Sequence, residues 1–310
     1  MPSKISWCKE TWNFIGGCTP IAEGCRNCCA ARQAQWLVNM GNKKYAGLVK
    51  KGKWTGEVRL FPELLDQPLH WREPRAIFPA FMSDLFHEDV PFEFIGQVFA
   101  FMMGARQHKY IILTKRIKRA AEFFEWFKQK TKLTSGAWKH LYLGVSISTQ
   151  QDADELIPIL LQIPAAHHIV SVEPMLERID ASKYLPPSQA KQITSMIGRE
   201  GFTGKSKLNS FIPNRSISAC LIGCESGPKR RPCKLEWVKD LVEQCTSAGV
   251  SVHVKQLPMP YCRKEYRGKW IGGAPSIEMI DELSKGRTYV SHDPAEWPEK
   301  VRQRDLIWQR

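Results

Sequence analysis

The sequence predicts an α/β fold, a partial (β/α) TIM-like barrel, on three observations. Short apolar runs alternate with amphipathic segments from Arg75 onward, the pattern of a parallel sheet whose crossovers are helices. About seven such units follow one another, enough for a full or partial barrel. Each run also ends in polar residues, and a parallel barrel assembles its active site at the carboxyl ends of its strands. With 310 residues, 43% of them hydrophobic, the chain has material for one such core.

The first element is Thr11-Trp12-Asn13-Phe14-Ile15, whose alternation suits a short strand. It feeds Gly16-Gly17-Cys18-Thr19-Pro20-Ile21-Ala22-Glu23-Gly24-Cys25-Arg26-Asn27-Cys28-Cys29, the stretch richest in chemistry. Cys18, Cys25 and Cys28 are close enough in sequence to meet at one metal centre, and the glycines let the backbone fold tightly around them. Thiolates are soft ligands that suit iron-sulfur clusters or zinc. Three of them leave a four-coordinate centre one ligand short. Either a 4Fe-4S cluster keeps an open iron, or Cys29 or Cys8 closes a structural zinc knot. Ala30, Ala31, Ala34, Leu37 and Val38 then recur at helical spacing and predict a helix ending before Gly41. In residues 42–75, Lys43, Lys44, Lys50, Lys51 and Lys53 interleave with Tyr45 and Trp54, which fits either a nucleic-acid track or a solvated connection.

The repeating units come next. Ala76-Ile77-Phe78-Pro79-Ala80-Phe81-Met82 ends in Ser83-Asp84, and Pro91 opens a helix marked by Phe92, Ile95, Val98, Phe99, Met102 and Met103. Tyr110-Ile111-Ile112-Leu113 ends in Thr114-Lys115-Arg116, and Leu141-Tyr142-Leu143-Gly144-Val145 ends in Ser146-Ile147-Ser148. His168-Ile169-Val170-Ser171-Val172 leads to Glu173-Pro174, and Ala219-Cys220-Leu221-Ile222-Gly223 to Cys224-Glu225-Ser226-Gly227. Val250-Ser251-Val252-His253-Val254 closes the series at Lys255-Gln256. These polar ends are expected to share one mouth with the cysteine loop.

Two segments depart from the rhythm. Residues 181–216 form a basic insertion that includes Lys205, Lys207 and Arg215, a rim loop of the kind that serves binding. Lys229, Arg230 and Arg231 follow the Glu225 cluster and stand over the same mouth, and with Lys205, Lys207 and Arg215 they are the candidates for contacts to nucleic-acid phosphates. The division expected is therefore a barrel over residues 1–257 and a C-terminal cap over 258–310.

A formal charge of +14 exceeds what solubility needs and points to a polyanionic partner such as DNA. Ten cysteines without an apolar leader suit the reducing cytoplasm, where clustered thiols serve as metal ligands. No apolar run is long enough to span a membrane, so no membrane partner is expected.

Several of these residues also carry a resemblance. Gly17-Cys18, Gly24-Cys25-Arg26-Asn27-Cys28, Met82-Ser83-Asp84-Leu85-Phe86-His87, Leu113-Thr114-Lys115-Arg116, Gly144-Val145-Ser146, Ser171-Val172-Glu173-Pro174, Gly223-Cys224-Glu225-Ser226-Gly227 and Lys255-Gln256 are its signposts. Over most of residues 5–257 the chain resembles the phage-associated three-cysteine-motif family of the radical S-adenosylmethionine superfamily, and more distantly spore photoproduct lyase. The resemblance implies a 4Fe-4S cluster on Cys18, Cys25 and Cys28, with S-adenosylmethionine chelating the open iron. Reductive cleavage of that cofactor gives a 5′-deoxyadenosyl radical, with flavodoxin or ferredoxin as electron donor, in the cytoplasm of a phage's host if the chain is phage-encoded. By their place at the mouth, Ser146, Ser148, Glu173, Glu225 and Ser226 are candidates for the cofactor's amine and ribose, and Lys115 or Arg116 for its carboxylate. Cys29 and Lys255 are the candidates for chemistry on the substrate. Two departures stand out: six residues separate the first two cysteines where three are commonest, and Cys29 replaces the usual aromatic. The activities implied are an isomerase acting on a hypermodified thymine or a lyase repairing a DNA lesion. A non-catalytic, metal-stabilised nucleic-acid-binding module is the reading from another class.

Overall fold

The computed structural model describes residues 5–131, 138–187, 216–227, 229–260, 288–291, 297 and 299–301. Its centre is a single curled sheet. The strands are β1 (Glu10–Trp12), β2 (Ala76–Pro79), β3 (Lys109–Thr114), β4 (Leu141–Ile147), β5 (His167–Val172), β6 (Ile217–Gly223), β7 (Ser251–Pro260) and β8 (Thr288–Ser291). They lie side by side in chain order. The first seven run parallel, and β8 pairs antiparallel with β7. Because each crossover adds its strand on the same side, the sheet winds one way and closes toward a half-barrel instead of opening into a doubly wound sheet.

Helix α1 (Cys29–Asn39) follows the cysteine loop and packs on Tyr45, Leu48 and Val49 in a cluster of its own, while α2 (Phe92–Gly104), α3 (Ile117–Thr131), α4 (Gln150–Leu160) and α5 (Leu235–Ser247) cover the outer face of the sheet. The period-2 geometry of strands divides the core between two faces. Ile112, Leu143, Val170, Ile222 and Val254 face the helices, where Phe99, Phe123, Val238 and Leu241 meet them. Their neighbours Ile111, Tyr142, Ile169 and Leu221 point inward and pack with Trp7 and Cys8 as the barrel floor. Burial on both faces explains why these strands read as continuous apolar runs. Helix starts follow local chemistry too: Pro91 stands at the N-cap of α2, and Thr149 with Asp152 forms a capping box on α4.

Three expected boundaries shift. The strand expected over residues 11–15 divides, because after Trp12 the chain leaves the sheet and Ile15–Gly16 pairs antiparallel with Arg59–Leu60. The strand at 76–82 ends at Pro79, where Ala80 turns the chain with a φ of 56° and sends Met82 into the cluster beneath α1. At the other end β7 runs past residue 257 to Pro260 and is covered by β8, while Trp297 and Val301 are buried in the main core. The described part of the C-terminal segment thus closes the sheet edge. Of the basic insertion, residues 188–215 lie outside the described residues, and with them Lys205, Lys207 and Arg215. Among the described residues no helix is long and apolar enough to cross a membrane.

Candidate functional site

The carboxyl ends of the strands enclose one cavity of about 250 Å³. Asp84 beyond β2, Lys115 and Arg116 beyond β3, Ser146 in β4, Glu173 beyond β5, Glu225 and Ser226 beyond β6, and Lys255 in β7 all line it. Cys18, Cys25, Cys28 and Cys29 line it as well, as free thiols. The structure therefore brings together the cysteine loop and almost every residue expected at the mouth. Lys229, Arg230 and Arg231 do not line it, and neither does Ser148, which is fully buried behind the wall with a hydroxyl that makes no hydrogen bond to a described residue.

Close backbone approach shapes the loop. Gly17 has a φ of 90°, and a Cβ there would collide with the Glu57 carbonyl, so only glycine fits. Gly24 packs against the Ser148 hydroxyl, with the Lys115 side chain and Pro174 just beyond. Gly24→Ala is expected to cost roughly 1–3 kcal/mol through overpacking. Adding Ser148→Ala removes the colliding atom, and chemical denaturation should show that the pair is more stable than Gly24→Ala alone.

A polar hub holds the first cysteine. Asp84 accepts from the Thr114 hydroxyl at 2.7 Å, the Phe86 N–H at 3.0 Å and the Lys115 N–H at 3.0 Å. Arg116 stands 3.5 Å from Asp84 and donates through Nε to both Glu88 oxygens at 3.0 and 2.8 Å. Its Nη2 donates to the Thr19 carbonyl and hydroxyl at 2.9 and 2.7 Å, and its Nη1 reaches the Cys18 sulfur at 3.7 Å. Arg116 thus reaches the cavity wall with its guanidinium already engaged by the loop. Lys115 differs. Its ammonium has no hydrogen bond or ion pair to any described residue, and its side chain lies along Gly24.

On the opposite wall Glu225 plays a holding role. Its carboxylate accepts from the Asn27 amide at 2.9 Å and from Arg231 through the backbone N–H at 2.7 Å and Nη2 at 2.6 Å. Arg231 also bridges to Glu23 at 3.2 Å, and Asn27 donates to the Lys229 carbonyl at 2.9 Å. The charge of Arg231, expected over the mouth for phosphate, is therefore neutralised by two carboxylates of the protein. Arg230 folds back on the Gly227 carbonyl at 3.3 Å, while the Lys229 side chain is exposed. Ser226 accepts from Arg32 at 3.2 Å. Burial pushes the Glu225 carboxyl up, but the hydrogen bonds from Arg231 and Asn27 outweigh it and hold the group below its ordinary 4.5. A depressed folded-state pKa stabilises fully above the unfolded value and is lost as pH falls through the folded one. Glu225→Gln should consequently lower stability at neutral pH and shrink the loss of stability below about pH 4.5, read from denaturation midpoints across an acid series.

The thiols are tuned the other way. Burial, reinforced by Asp84 and only partly opposed by Arg116, pushes the Cys18 thiol up to about 12. Burial and the neighbouring Cys29 also raise Cys28, against the N–H groups of Ala31 and Ala30 and the Trp54 side chain. Such thiols stay protonated until a bound metal supplies positive charge and deprotonates them. At the floor, Lys255 stands 3.5 Å from Glu173, and Ser171 donates to the other Glu173 oxygen at 3.5 Å. Burial pulls the Lys255 ammonium down, but Glu173 and Cys29 outweigh it and raise its pKa.

Among the described residues, no three His, Cys, Asp or Glu side chains converge on a point where one ion would touch them all. A multinuclear cluster gives each thiolate its own iron and does not require that convergence. Three half-buried free thiols on one cavity, an unengaged ammonium and a loop glycine pressed to the wall fit a cluster with an anionic ligand beside it. Asp84, its partners Thr114, Lys115 and Arg116, and Asn27 all fall within stretches the sequence marks for the mouth, but their pairings are not marked there, and Glu88 escapes sequence reasoning altogether.

Over residues 2–289 the chain matches the family described as a protein of unknown function, DUF5131, and it belongs to that family. No curated protein and no solved structure matches it.

Proposed function

We propose that the protein is a radical S-adenosylmethionine enzyme whose substrate is DNA or a nucleotide component of it. The observation that carries this reading is the meeting of Cys18, Cys25 and Cys28 with Lys115, Ser146 and Glu173 on one cavity at the carboxyl end of a half-barrel. When bound, a 4Fe-4S cluster and S-adenosylmethionine supply one-electron cleavage of the sulfonium and, with it, a hydrogen-abstracting radical. The protein's own residues do the rest. Cys18, Cys25 and Cys28 hold the cluster, and the free ammonium of Lys115 binds the cofactor carboxylate. Ser146 and Glu173 offer acceptors for its amine and ribose. Arg116 and Glu225 act one step back, fixing the loop through Thr19 and Asn27 so that the thiols keep their spacing.

The test is chemical analysis of anaerobically purified protein. About four irons and four sulfides per chain are expected, with release of 5′-deoxyadenosine and methionine after reduction in the presence of S-adenosylmethionine. Zinc in place of iron, with no cleavage, would overturn the reading in favour of a structural metal site.

A further inference from the structure

Beside the cavity stands a surface the chemistry above does not use. Residues 49–54 form a hairpin in which Val49 pairs with Trp54 and Lys50 with Lys53. Its tip is Lys50-Lys51-Gly52-Lys53, with positive φ at Lys51 (50°) and Gly52 (74°). That pattern is a tight primed turn, in which the first central position favours asparagine or glycine, so lysine carries a conformational cost there. Lys50 and Lys53 are also directly opposed, an arrangement that like charges destabilise. None of Lys50, Lys51 and Lys53 has an ion pair or side-chain hydrogen bond to a described residue, and all three are exposed. No Asp or Glu occurs anywhere in residues 24–56 to offset them. The hairpin accumulates uncompensated positive charge that a bound polyanion would relieve.

The same surface carries an exposed aromatic. The hairpin is fastened to α1 by the Gly52 N–H donating to Gln35 Oε1 at 3.1 Å, and Gly52 lies against Arg32. One turn along α1 from Arg32, on the same helical row, stands Trp36 with 60% of its surface exposed, and Met40 follows a turn later. At its other end this row reaches the cavity: Arg32 touches Ser226, Cys29 lines the wall, and Trp54 of the hairpin lines it too. Charge and an unpaired indole on one track suit a chain of phosphates with stackable bases. Duplex DNA keeps its bases paired and offers the indole nothing to stack on.

We infer that the Lys50–Lys53 hairpin and the Trp36 row of α1 form a docking track for single-stranded nucleic acid that leads into the cavity. This rests on the proposed nucleic-acid substrate but not on the cluster, and binding is measured separately from cleavage. The experiment is fluorescence anisotropy of a labelled oligothymidylate against the full chain across a salt series, with a duplex of equal length alongside. Neutralising Lys50, Lys51 and Lys53 together to Gln should lower the slope of log affinity against log salt by about 2. Trp36→Ala should weaken binding roughly tenfold with the slope unchanged, and Trp36→Phe should recover most of it. Iron content and release of 5′-deoxyadenosine without substrate should match wild type in all three variants. If the triple variant keeps the wild-type slope, if Trp36→Ala binds normally, or if duplex binds as tightly as single strand, the inference falls. It also falls if the triple variant loses affinity only for an acidic flavodoxin or for phosphatidylserine vesicles. Single-strand binding that responds to these variants in a chain without iron keeps the track and overturns the radical reading alone.

Discussion

Cys18→Ala, Cys25→Ala and Cys28→Ala are each expected to abolish iron-sulfur incorporation and S-adenosylmethionine cleavage, whereas Cys8→Ala and Cys233→Ala keep both. The three loop thiols share the cavity wall, and in the proposed cluster the loss of one would leave an iron without a protein ligand. Cys8 belongs to the barrel floor beside Trp7, and Cys233 is buried in the main core near Leu235, where each serves as a small apolar group. Cys29→Ala separates the two kinds of centre. An open cluster held by three thiolates survives that change, whereas a closed four-thiolate zinc site loses its fourth ligand. Iron and zinc content of the purified variants, with the visible absorption of the cluster, reads all of this. A full cluster in Cys25→Ala would contradict the ligand assignment, and loss of metal in Cys29→Ala would point to the closed site.

Much of the architecture is written locally and is therefore legible. Strand interiors such as Leu141–Ile147 and Ile217–Gly223 are apolar on both faces because floor and helices bury them from two sides, and the run itself reveals that. The polar residue that ends each run marks the mouth, which is why the sequence alone brings Lys115, Ser146, Glu173 and Lys255 to one cavity. What the chain conceals is which polar group is already engaged. Glu225 and Asn27 are 198 positions apart, and Arg231 and Glu23 are 208 apart, so no spacing rule connects them. Glu225 and Arg116 read as open cofactor contacts, and Arg231 as a phosphate contact, because nothing in the sequence shows that Glu225 and Arg231 pair with each other or that Glu88, Asp84 and Thr19 already engage Arg116. Ser148 misleads for a different reason. It lies one residue beyond the end of β4, where the chain leaves the sheet for the Thr149 cap of α4, and its hydroxyl packs against Gly24 and does not line the cavity.

The largest effect on stability is expected at Arg116, which is 5% exposed. It connects four groups that have no other common partner: Asp84, Glu88, Thr19 and Cys18. Removing one member of a buried ion pair leaves the other charge uncompensated, which typically costs 3–5 kcal/mol. Here Asp84 keeps hydrogen bonds from Thr114, Phe86 and Lys115, so Arg116→Ala should fall near the lower end, about 3 kcal/mol. Arg116→Lys should recover little of it, since a single ammonium cannot reach the Glu88 carboxylate and both Thr19 oxygens as the planar fork does. The loss should extend to the site, because Arg116 holds the Thr19 carbonyl and hydroxyl on one side of Cys18, while His87 shares the hydroxyl and Met82 and Ser83 hold Gly17 on the other side. Urea denaturation of the apo protein gives the stability change, and iron content after reconstitution gives the effect on the loop. A variant within about 0.5 kcal/mol of wild type, the range of an ordinary surface substitution, that also loads iron normally would remove Arg116 as the anchor and leave Gly17 and Asn27 to set the loop.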